Sequence, residues 1–154
     1  MAAHPEHEAT THRILVIANE TVAGRVLLDT VLARSGGPRP VEVLVVCPAL
    51  NSRLRHWISD EDGARRKAEQ RLQKCLLKLG GEGIEADGWV GDADPLQAIA
   101  DGLHVFAADE IIIATHPKGR SHWLERDLIG RARERFDPSI EHVVVDGTLE
   151  AAAA

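Results

Sequence analysis

Lys118, Gly119, Arg120 and Ser121 stand between a short apolar run and a helical pattern, and that combination suits the holding of an anion. The run Ile111-Ile112-Ile113-Ala114 is too short for a helix and rich in β-branched residues, so it reads as a strand buried on both faces. The polar turn Thr115-His116-Pro117-Lys118-Gly119-Arg120-Ser121 follows, and a helical pattern opens at Ser121 or His122. A strand that passes through a glycine-bearing turn into a helix aims the first free N–H groups and the positive dipole end at one spot. Lys118 and Arg120 add positive charge there. An ordinary βα connection with solvated polar residues would use the same letters.

Rival chemistries find less support. His116 and His122 are six residues apart across the turn, without the H-x3-H or HExxH spacing of a zinc site, so no metal is expected. Thr115 and His116 are neighbours, but there is no G-x-S-x-G elbow to expose a nucleophile. Cys47 and Cys75 lie in apolar patterns and read as small buried hydrophobes of a reducing compartment. Trp57 and Trp123 could stack on a base, although an amphipathic surface or interface tryptophan is the commoner arrangement. The series Arg120, Arg126, Arg131, Arg133 and Arg135 is interleaved with Glu125, Asp127 and Glu134, the pattern of a solvated helix face.

The elements that must position this turn are legible from periodicity. Residues 13–18 and 41–47 are continuous apolar runs, hence central strands. Thr21 suits the N-cap of a helix reaching Arg34, which Ser35-Gly36-Gly37-Pro38 ends. Residues 51–58 are irregular. Ser59 and Asp62 form a capping box before a helix with Ala64, Ala68, Leu72, Cys75, Leu76 and Leu79 on one face. Residues 84–90 alternate like an edge strand that Gly88 weakens. Asp94 and Pro95 open a third helix, a fourth carries Leu124, Leu128, Ala132 and Phe136, and residues 142–145 make the last strand. Strict alternation predicts an α/β fold: a parallel sheet of five strands with right-handed crossovers and helices on both faces. Residues 1–12 are expected to be a disordered tail, 13–147 one domain, and 148–154 a frayed end.

Composition narrows the partners. The chain has 154 residues, a formal net charge of −6 and only 3% aromatic residues, which argues against a nucleic-acid surface. No apolar segment approaches the roughly 20 residues needed to cross a bilayer. The polar start carries no apolar core of a signal peptide, and the expected location is the cytoplasm.

The segments ILVIANET, VEVLVVC, GDADPLQAI, the strand-turn-helix and HVVV together resemble a universal stress protein domain over about residues 13–146. That resemblance implies a doubly wound five-stranded sheet in strand order 3-2-1-4-5, and a homodimer joined through the last strand, 142–146, with stress signalling in place of catalysis. It also implies an adenine nucleotide, ATP with Mg²⁺, held by a residue ending the first strand, a valine on the second, and a G-x2-G-x9-G-[S/T] motif after the fourth. Asn19 stands at the first position, usually acidic, and would bond the ribose; Val46 stands at the valine and would wall the base. Gly119 matches the second motif glycine, with Arg120 and Ser121 beside it and Thr115 leading into the turn. His116 replaces the first glycine, Gly130 stands for the third with ten residues between it and Gly119, and Arg131 replaces the Ser/Thr. His116 brings a Cβ and a ring toward phosphate space, while Arg131 loses a hydroxyl and offers a cation. The changes keep open a dimeric interaction module that binds no nucleotide, and slow phosphoanhydride hydrolysis assisted by Lys118 or Arg131.

Overall fold

The structure, a computed structural model, describes residues 11–18, 25–37, 39–49, 61–117 and 127–145. Its elements alternate as expected: β1 (His12–Ile17), α1 (Arg25–Ser35), β2 (Val41–Pro48), α2 (Glu61–Gly81), β3 (Glu85–Gly91), α3 (Pro95–Val105), β4 (Glu110–Thr115), α4 (Leu128–Arg135) and β5 (Ser139–Val144). The strands form one parallel sheet in the order β3-β2-β1-β4-β5.

Each central strand is apolar on both sides because each side meets a helix layer. Ile14, Val16, Val43, Val45, Ile112 and Ala114 share one core with Leu27 and Val31 of α1 and Leu72, Cys75 and Leu79 of α2. Leu15, Ile17, Leu44, Val46, Ile111 and Ile113 share the other with Leu96 and Ile99 of α3 and Leu128, Ile129 and Ala132 of α4. The alternation along each strand divides its side chains between the two layers, which makes the sheet doubly wound. Burial of each isoleucine on β4 contributes about 1.5–3 kcal/mol, and all three are 0% exposed.

Local signals set several boundaries. Asp94 caps α3 by accepting from Leu96 N at 3.0 Å, and Pro95 fills the first helical position, where its missing N–H costs nothing. Gly83, at φ +80, turns the chain out of α2 into β3. At the strand starts, Arg34 bonds both Glu110 and Glu141, and His12 Nε2 lies 3.3 Å from Glu110, tying α1 and β1 to β4 and β5.

Two expectations need correction. The last helix does not run unbroken from Ser121: Asp127 takes a left-handed conformation at φ 52, and α4 begins at Leu128. The last strand begins at Ser139, three residues earlier than the apolar run suggests, because its pairing with β4 starts at Glu110↔Ser139 and includes half-buried polar residues. Asn19, Thr21, residues 51–58, Ser59, Lys118, Gly119, Arg120, Ser121, His122 and Leu124 lie outside the described residues, as do residues 1–10 of the expected N-terminal tail and all of the expected end 148–154.

Candidate functional site

The sheet order puts β1 beside both β2 and β4, so the chain reverses its direction of winding at β1. β1 and β4 pair in register from Ile14↔Glu110 to Ile17↔Ile113. Past these pairs, Ala18 after β1, and Thr115 then His116 at and after the end of β4, lead into the two segments that the sequence marks as polar. Sheets of this order present ligands outside the carboxyl ends of their strands at such a reversal. The carboxyl end is closed by backbone bonds: Ala18 N donates to Val46 O (3.3 Å), and Val145 N to Thr115 O (2.8 Å).

Of the residues singled out in the sequence, Val46, Thr115, His116, Gly130 and Arg131 are described. Val46 is 0% exposed beneath α3, with Gly91 and Gly102 leaving room for its methyl groups. Its side chain therefore belongs to the core, and only its backbone is available at the strand end. Thr115 is buried at 2% exposure and its Oγ1 lies 2.7 Å from His142 Nε2. His116 is half-buried just past the end of β4, and Arg131 is exposed on α4. Asn19, Gly119, Arg120 and Ser121 fall outside the described residues, so the described part of the site is the β4 end and the first turn of α4.

That first turn holds a residue that the spacing argument passed over. Asp127 precedes α4, and among the described residues it is the non-glycine at positive φ. Its carboxylate lies against Gly130: a Cβ there would meet Oδ2 at 2.6 Å and Oδ1 at 2.7 Å. It makes no side-chain cap hydrogen bond. The acid sits where the helix dipole favours negative charge, and its carboxylate occupies the space beside Gly130. A phosphate approaching the same turn would meet a carboxylate. The signal was present in the sequence, since Asp before Leu128-Ile129 is an N-cap pattern.

His142 is the second missed residue. It lies on β5 diagonally across from Thr115, on the side of the sheet that α4 covers. Burial, and then the Arg133 guanidinium, hold its imidazole below the ordinary range. Among the described residues no group of three or more His, Cys, Asp or Glu side chains is arranged to hold a metal. No described helix is long and apolar enough to cross a membrane.

The architecture defines a doubly wound α/β domain with a candidate ligand crevice at its β1–β4 reversal. Comparison with solved structures specifies the fold further. The chain matches hypothetical protein MJ0577, studied as a test case for structure-based assignment of biochemical function, with a TM-score of 0.64 at 13% identity, covering 88% of this chain and 96% of that one. It matches a universal stress protein from Archaeoglobus fulgidus with a TM-score of 0.58 at 19% identity, covering 93% of this chain and 100% of that one. No protein-family model matches the sequence, and no curated protein matches it. The chain thus has the fold of a universal stress protein, in agreement with the resemblance carried by its strands and turns.

Proposed function

We propose that this is a universal stress protein-type domain that acts as a cytoplasmic homodimer and binds an adenine nucleotide, or another small phosphorylated ligand, for signalling. The observation that carries the reading is the β1–β4 pairing, which brings the end of β1, next to Asn19, alongside the end of β4, next to the Gly119 turn. In this reading Gly119, Arg120 and Ser121 hold phosphate, Asn19 bonds the ribose, and backbone at Val46 borders the base. The edge position of β5, with Val144 45% exposed, supports pairing of two copies through that strand.

A thermal-shift series with ATP, ADP and AMP, with and without Mg²⁺, tests it. A ligand at one hundred times its dissociation constant stabilises by about 2.7 kcal/mol. The shift should vanish in Gly119→Val and persist in the exposed control Glu69→Gln. No shift at millimolar nucleotide overturns nucleotide binding.

Asp127 favours a second reading, a dimeric interaction module without nucleotide, because its carboxylate faces the turn of α4 that a phosphate would use. Hydrolysis of ATP assisted by Lys118 or Arg131 is a third reading, and phosphate release above the buffer blank would be its signature.

A further inference from the structure

On β3, Ala86 and Val90 join the core shared with α1 and α2, so Glu85, Asp87 and Trp89 point to the other side of the sheet. There α3 packs across β1 and β2, and its last turn borders, with β2 and β3, a half-open groove of about 390 Å³. This lies within the usual volume of small-ligand pockets, about 300–1,000 Å³. Trp89 and Phe106 are half-buried in it, and Val105 is 67% exposed beside them. Glu85 and Asp87 supply exposed carboxylates, and Glu42 a third that Arg13 pairs from outside the lining. The groove lies toward the strand starts at the β3 edge, away from the β1–β4 crevice, and does not depend on that site.

We infer that this groove binds a small organic cation, an ammonium or guanidinium carrying a hydrocarbon part. Three independent features favour positive charge. Aromatic faces attract cations. The groove borders the carboxyl end of α3, at Val105 and Phe106, where the helix dipole is negative. The carboxylates of Glu85 and Asp87 stand beside the apolar surface without an ion pair among the described residues, and Asp87 Oδ1 accepts from Gly88 N at 2.8 Å, which orients that carboxylate on β3. Glu42 contributes less, because Arg13 already pairs with it at 3.4 Å. An anion of the same shape would meet repulsion from all three. The hydrocarbon part would lie against Trp89, Phe106 and Val105, which removes apolar surface from water.

The test is titration of the full chain with phenethylammonium, followed through the Trp89 indole N–H resonance, identified by its loss in Trp89→Phe. A saturable shift is expected, weakened about threefold by Glu85→Gln and by Asp87→Asn and weakened further at about 0.5 M salt. Both carboxylates are exposed, so these variants keep the fold. Phenylpropionate, with the same ring and the opposite charge, should give no shift. The inference is overturned by the absence of a saturable shift up to about 10 mM, tenfold above a weak dissociation constant of about 1 mM. An equal response to phenylpropionate, or unchanged binding in both carboxylate variants, overturns it as well. So does a basic peptide that moves the β3 amides while the small cation moves nothing.

Discussion

The Thr115 hydroxyl lies 2.7 Å from His142 Nε2, joining the end of β4 to the edge strand β5 across a diagonal of the sheet. Neither residue announces the other in sequence, since they are 27 positions apart. The bond gives a buried hydroxyl its partner, and a buried hydroxyl without one would cost about 1–3 kcal/mol.

The pair makes stability depend on pH. Burial first, and Arg133 second, lower the His142 pKa from its ordinary 6.5, so the unfolded chain takes up a proton more readily than the folded one. The contribution of neutral His142 is therefore complete above 6.5 and is lost as pH falls through that value toward the lower folded one. Calorimetric Tm values should fall more steeply between these limits in the wild type than in His142→Gln. Parallel curves would contradict the assignment.

Both cysteines should be unreactive in the folded protein. Burial pushes Cys47 up to about 12, with Cys75 adding to the effect, and burial pushes Cys75 up to about 11. The thiolate is the reactive form, so at about pH 8 a disulfide reagent should label neither until denaturant unfolds the chain. Rapid labelling of the native protein would refute this.

Two glycine substitutions should act in opposite directions. A Cβ on Gly88 would sit 2.4 Å from the Val45 carbonyl oxygen and 2.8 Å from Leu72 Cδ1. Gly88→Ala must shift the β3 backbone against β2, as well as displace Leu72, and should cost about 1–3 kcal/mol. Gly80, in the last turn of α2, meets nothing within 4 Å, so Gly80→Ala should stabilise by about 0.4–1 kcal/mol. Urea unfolding of the two variants measures both signs.

The two helix-start aspartates should separate in the same kind of experiment. Asp94→Ala removes the bond to Leu96 N and should cost about 0.5–2 kcal/mol of stability. Asp127→Asn removes a charge without removing a cap bond, and Asn tolerates the left-handed conformation well. If phosphate binds at the first turn of α4, this variant should show the larger nucleotide-induced thermal shift. A smaller shift than wild type would place the phosphate elsewhere.

The order of elements, the two-sided burial of the central strands and the cap of α3 were all legible from local letters. Apolar runs such as Ile111-Ile112-Ile113 need two covering layers, and Asp94-Pro95 satisfies a helix start by itself. Gly88 reads only as a weak point in a strand, yet the close approach of the Val45 carbonyl oxygen, with Leu72 behind it, is the reason a glycine stands there. Val46 read as a surface for a base, yet its side chain fills the space left by Gly91 and Gly102 under α3.

Sequence alone determined the fold class, because hydrophobic periodicity and turn residues act over a few positions. Tertiary structure decided which polar groups meet: Thr115 with His142, Arg34 with Glu110 and Glu141, and the acidic edge of β3 with the end of α3. Those encounters depend on strand register and on which side of the sheet each helix covers, and both follow from packing the whole chain at once.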